Sequence, residues 1–233
     1  MPYRRLPNTD AARSKALQKA YDKAKVLPPF KLAFSQQTYQ RIQSFLPSFQ
    51  NAIHQAHNAF TIQTSKSNEY NLALKKAKMY ISHFIQVFNL AVQRADIPEE
   101  QRALLGLPDG VNKVPKMQSE SEVMKWGEKL IHGESLRRTK GFSPMTNPTI
   151  AVVKVRYEQF LESLKYQKTL QKNYQRALEN LNNLRDDADN IILSIWNEVE
   201  EHFKDLPADE RRQTAEEYGL VYVYRKSELK NNS

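Results

Sequence analysis

Residues 149–206 read TIAVVKVRYEQFLESLKYQKTLQKNYQRALENLNNLRDDADNIILSIWNEVEEHFKDL, with neither Gly nor Pro in the whole stretch. Apolar residues recur every three or four positions: Val153, Tyr157, Phe160 and Leu164, then Leu170, Tyr174, Ala177, Leu181, Leu184, Ala188, Ile191, Ile195 and Val199. That period belongs to a helix with one buried seam. Gln167 interrupts the apolar run and shifts the local heptad phase. A single helix of this length would run ~87 Å at ~1.5 Å per residue, well beyond ordinary globular lengths. Asn182-Asn183 and Arg185-Asp186-Asp187 supply turn and cap chemistry, so a turn is expected near 183–186. The seam keeps its phase through that point, which leaves one unbroken helix as the alternative.

The same grammar appears upstream. Tyr39, Ile42, Leu46, Phe49, Ile53, Ala56 and Phe60 form one seam, and Tyr70, Leu74, Ala77, Ile81, Phe84, Phe88, Ala91 and Ala95 form another. Ser35 suits an N-cap, and Pro47 predicts a kink or local break. Thr61–Glu69, with Thr64-Ser65-Lys66-Ser67-Asn68 at its centre, reads as a turn. The expected fold is therefore all-α: an elongated four-helix bundle of two antiparallel hairpins, 35–63 with 68–96 and 148–183 with 187–205. Phe49, Phe84, Phe160 and Ile195 should share one core.

The rest decorates this frame in a single domain. Residues 8–27 form an N-terminal helical arm, capped by Asn8 or Thr9, with Ala12, Ala16, Ala20 and Ala24 as a small-residue stripe. The first hairpin spans 35–96 and the second 148–205. Residues 97–147, which hold five of the six glycines, read as a crossover with short helices. One of these should start after Pro98 and end at Gly106, and another should open on the capping box Ser119-x-x-Glu122 and stop before Gly133. The tail, 206–233, carries a helix from Pro207 to Glu217. Next comes Leu220–Arg225, the one convincing strand signal in the chain. That strand needs an edge in the crossover, in the N-terminal arm or in a second copy; Val111–Met117 is the nearest candidate by character.

Lys and Arg number 35 against 26 Asp and Glu, a net charge of +9. Residues 1–31 carry eight basic and two acidic side chains, whereas 186–217 carry three and eleven. The simplest consequence is that the acidic segment docks on the basic arm, in the same chain or a neighbour. The sharper one is an anionic partner such as nucleic acid, with Arg4, Arg5, Arg137, Arg138 and Lys140 as possible anion contacts. Arg13, Lys15, Lys19 and Lys23 line the outer face of the arm.

Several chemistries find no residues to run on. The absence of Cys excludes disulfides, thiolate metal sites and cysteine nucleophiles. Six scattered glycines make no phosphate cradle, and there is no Gly-x-Ser-x-Gly. His54 and His57 stand at i, i+3 beside the seam, but no Glu-x-x-His accompanies them. No cofactor or metal is expected, no catalytic residue is assigned, and no enzyme is inferred. Nor is there an apolar run long enough to enter a bilayer, or a secretory h-region, so a cytoplasmic protein is expected. MPYRRLPNTD (1–10), LLGLPDG (104–110), MTNPTIAVVK (145–154), IWNEVEEHF (195–203) and YGLVYVYR (218–225) together resemble a family of uncharacterised bacterial helical proteins. The resemblance implies an all-helical fold and brings no functional residues. The expected role is a non-enzymatic interaction or assembly protein that binds a protein partner or itself. The alternative is a nucleic-acid-binding accessory protein.

Overall fold

The computed structural model describes residues 2–224, and 75% of these are helical. Helix α1 spans Asp10–Val26, α2 Gln36–Gln93, α3 Glu120–Thr139, α4 Ile150–His202 and α5 Ala208–Glu217. Short 3-10 segments cover Pro29–Lys31 and Glu99–Leu105. Strands β1 (Tyr3–Arg4) and β2 (Tyr222–Val223) make a two-stranded antiparallel sheet, in register Tyr3 with Val223 and Arg4 with Tyr222.

The all-α class stands, but the two hairpins do not. Each is one continuous helix, α2 through 61–69 and α4 through 183–186. The physical reason is legible afterwards. Phe60 and Tyr70 are ten residues apart, so Gln63 and Ser67 carry the seam through the polar stretch without loss of phase. The small polar residues are absorbed by the helix itself. Ser65 donates back to the Ile62 carbonyl at 2.9 Å, and Lys66 reaches Glu69 at 2.7 Å. Near 183–186, Arg185 bonds Asn182 one turn back and Asp10 of α1, so the expected turn residues hold a helix face instead. Pro47 also lies inside α2.

The chain packs as two compact units. Unit 1 combines the residues up to Phe60 with those from Asn173 onward; unit 2 is Thr61–Lys172. Phe49, Phe84, Phe160 and Ile195 are all buried, yet not in one core. Phe49 and Ile195 belong to the unit 1 cluster with Leu17, Ile42 and Trp196, whereas Phe84 and Phe160 belong to the unit 2 cluster with Ile81, Phe88 and Val153. Burying an aromatic or aliphatic side chain of this size contributes about 1.5–3 kcal/mol.

In the crossover, the Glu99–Leu105 segment ends at Gly106 in the left-handed conformation (φ 67°), as its sequence predicts. Helix α3 opens on the Ser119–Glu122 capping box. It does not stop at Gly133 but runs on to Thr139. Gly133 serves contact rather than termination: a Cβ there would lie 2.3 Å from the Leu104 carbonyl oxygen and 2.8 Å from Leu105 Cα. Within the tail, the strand pairs with Tyr3–Arg4, just ahead of the N-terminal arm, and not with Val111–Met117. That stretch has its own engagement, since the Val111 carbonyl accepts from Arg102 at 3.2 Å. The observed strand covers Tyr222–Val223 of the expected Leu220–Arg225; Arg225 lies outside the described residues.

Candidate functional site

The acidic and basic segments of unit 1 meet within the one chain. Thr9 caps α1 by accepting from the Ala12 amide at 3.2 Å, which places Asp10 and Arg13 on the turn that faces α4. Arg13 grips Asp189 through two bonds of 2.8 and 2.9 Å, and Arg185 grips Asp10 through two of 2.8 and 2.7 Å. The Asp189 hydrogen bond raises the Arg13 pKa still further. Arg4 donates to Glu200 at 3.0 Å, and the Tyr222 hydroxyl donates to the same carboxylate at 2.8 Å. Burial, and then that bond, pushes the Tyr222 phenol well above its usual range. Lys23 pairs with Glu217. Glu198 accepts from the Ser35 amide and the Thr38 hydroxyl where α2 begins.

What this pairing leaves over is a groove. It lies between the Arg5–Asn8 stretch, one face of α1, Trp196 of α4 and the Gly219–Val221 stretch, with a volume of ≈ 320 Å³. Its wall and floor are largely apolar, and Arg5, Lys15 and Lys19 stand at it. All three are exposed. Lys19 reaches only the Glu216 carbonyl, at 3.2 Å. Among the described residues, no carboxylate pairs with Arg5, Lys15 or Lys19, and none lines the groove. The groove owes its shape to Gly219, whose φ of +91° turns the tail and whose missing Cβ lets it lie against Ala16.

The expected anion contacts divide. Arg4 is spent on Glu200, and Arg5 is exposed at the groove. In unit 2, Arg138 and Lys140 are exposed, but Arg137 is 1% exposed and cannot contact a phosphate from the surface. It donates to Glu134 at 2.5 Å, to Gln101 at 2.9 Å and to the Ser143 carbonyl at 3.2 Å, and its guanidinium stacks over Phe88. Glu134, fully buried, also accepts from the Met145 amide at 2.9 Å. A second buried arginine, Arg102, donates to Asn89 at 2.8 Å and pairs with Glu99 at 2.7 Å. These clusters tie the crossover to α2 and α3, because a buried charge must be paired and hydrogen-bonded. Sequence reasoning missed Glu134, Gln101 and Arg102. The one available signal was Glu134 beside Gly133, three residues before Arg137.

Among the described residues, no three His, Asp or Glu side chains are placed to hold a metal ion, and no helix is long and apolar enough to cross a membrane. His54 and His57 lie on the exposed side of α2. Comparison with known proteins finds no family model that matches the chain, and no curated protein or solved structure similar to it.

Proposed function

We propose that this protein is a non-enzymatic interaction and assembly protein that engages a protein partner, or a second copy of itself, through exposed apolar residues on its helical frame. The observation that carries the reading is the pair Val26 and Phe30, exposed by 82% and 81%. They flank Leu27-Pro28-Pro29 at the joint between α1 and α2. Two prolines fix φ through this link, and a 3-10 turn closes on it. A rigid turn that presents a Phe to solvent is the form of an interface anchor, because little ordering entropy remains to be lost on binding. Lys25 and Lys31 border the pair, which favours a partner surface with an apolar pocket and an acidic rim. Tyr3, Val221 and Tyr224 at the two-stranded sheet, each 45–48% exposed, extend the apolar surface that the same reading uses.

The alternative, a nucleic-acid-binding accessory protein, has less behind it. Arg4, Arg13 and Lys23 are neutralised by Glu200, Asp189 and Glu217, and Arg137 is buried. A photo-crosslinking residue at position 30 tests the leading reading in cells that make the full chain. A discrete protein adduct is expected from position 30 and none from exposed position 175 on α4. No adduct at 30, or equal adducts at both, would overturn it.

A further inference from the structure

The groove beside Trp196 has a feature that the interaction surface does not need. Its charge is of one sign: three cations stand at it and no carboxylate lines it. Arg4, Arg13, Lys23 and Arg185 each have a carboxylate partner, yet Arg5, Lys15 and Lys19, the three cations at the groove, have none among the described residues. Three cations placed together repel one another unless an anion sits among them. Between them the lining is apolar, with Leu6, Trp196 and Leu220 as its large members. Trp196 itself is 1% exposed and so forms a fixed wall. The volume of ≈ 320 Å³ falls at the lower end of small-molecule sites.

From the unpaired cations and the apolar wall, we infer that this groove binds a small amphipathic anion: one carboxylate or phosphate head on an unbranched or aromatic apolar body. The head lies among Arg5, Lys15 and Lys19, and the body lies along Leu6, Trp196 and Leu220. Charge and shape each supply part of the selectivity. A neutral ligand of the same shape leaves the cations unbalanced, and a small inorganic anion leaves the apolar wall in contact with water. The anchors of the interaction reading, Val26 and Phe30, do not line the groove, and Val221 alone belongs to both surfaces.

The chain has two tryptophans, so the test has a local readout. Full-length ¹⁵N-labelled protein is titrated with sodium decanoate below its micellar concentration, and the indole N–H resonances are followed; Trp126→Phe assigns the peak of Trp196. The Trp196 resonance should move saturably while that of Trp126 stays in place. Decan-1-ol should bind at least tenfold more weakly. Arg5→Gln with Lys15→Gln should weaken decanoate by tenfold or more, since each charge-assisted hydrogen bond is worth roughly a factor of ten. Both side chains are exposed, so the double variant keeps its fold. Decyl phosphate in a parallel titration separates the two head groups by affinity. No movement of the Trp196 resonance, equal affinity for decan-1-ol, or an unchanged affinity in the double variant would each sink the inference.

Discussion

Arg13 and Asp189 hold each other by two parallel hydrogen bonds of 2.8 and 2.9 Å, although they stand 176 positions apart in the chain. The pair fixes α1 against α4. It sits in a four-charge square with Asp10 and Arg185, so each carboxylate meets an arginine and each arginine a carboxylate. Planar forks of this kind are the geometry in which an ion pair is worth more than the usual surface value. Arg13→Ala should lower stability by about 1 kcal/mol. In a double-mutant cycle with Asp189→Ala, part of that loss should appear as coupling, and molar salt should reduce it. Zero coupling at low salt in chemical denaturation would contradict this account.

Gly133→Ala sets two effects against each other. Alanine is the better helix former by about 1 kcal/mol. The added Cβ, however, meets backbone atoms of Leu104 and Leu105 at 2.3 and 2.8 Å, and backbone cannot swing aside as a side chain can. Overpacking of this kind typically costs about 1–3 kcal/mol, so the variant should be net destabilised. Gly110→Ala is the matched control, with no atom within 4 Å of the added Cβ and only the strain of a φ of +66°. Thermal denaturation of both variants checks the order, Gly133→Ala being the more damaging.

Gln167 sits at the one polar position of the α4 seam, 6% exposed, and its amide oxygen has no partner among the described residues. An unsatisfied buried acceptor costs about 1–3 kcal/mol. Gln167→Leu, close in volume, should therefore raise stability by about 1 kcal/mol and increase the denaturant midpoint without changing the slope. A fall in the midpoint would mean that the amide is satisfied in solution.

Glu122 gives the α3 start a pH dependence. Its carboxylate accepts from the Ser119 amide at 2.9 Å and the Gln118 amide at 2.8 Å. The Ser119 amide is the main cause holding its pKa below the usual carboxylate range. A depressed folded pKa contributes stability that is present above the unfolded value, near 4.3. That stability is lost as pH falls through the lower folded pKa. Glu122→Gln should thus be destabilising at neutral pH and close to neutral in effect at pH 3. Paired thermal melts at the two pH values decide it; an equal effect at both would count against the carboxylate.

Local rules carried the sequence reading a long way. The seams, the Ser119 capping box, the Gly106 stop and the complementarity of the basic arm with the acidic segment are all written in short-range patterns. The failures share a cause. Ser65 and Arg185 sit in stretches whose composition permits a turn, and only the preserved phase of the seam on either side opposes one. Gly133 looks like a helix stop because a glycine needed for close contact and a glycine needed for a cap are the same letter. Arg137 and Arg138 are adjacent and chemically identical, yet one is buried against Glu134 and Phe88 and the other is exposed. Position on the helix face separates them, and that depends on Gln101, 36 residues away, and on Phe88, farther still. The groove was not legible for the same reason. Arg5 and Lys15 stand near the start of the chain and Trp196 near its end, and only the fold brings them to one groove.

The pairing of residues 3–4 with 222–223 has a consequence for how the chain acquires its structure during synthesis. All of unit 2 lies between residues 61 and 172, so its parts emerge from the ribosome consecutively and can pack as they appear. Unit 1 has no such option. Leu17, Ile42 and Phe49 must wait for Ile191, Ile195 and Trp196 before their core exists. At ~5–20 residues per second, the delay between Phe49 and Val223 is roughly ten to thirty seconds. Throughout that interval the first half of the core has contacts between α1 and α2, such as Tyr21 on Tyr39, but the surface that Ile191, Ile195 and Trp196 will cover stays exposed. The nascent chain thus has a built-in order of assembly, middle first and ends last, and its aggregation-prone interval falls on the N-terminal half of unit 1.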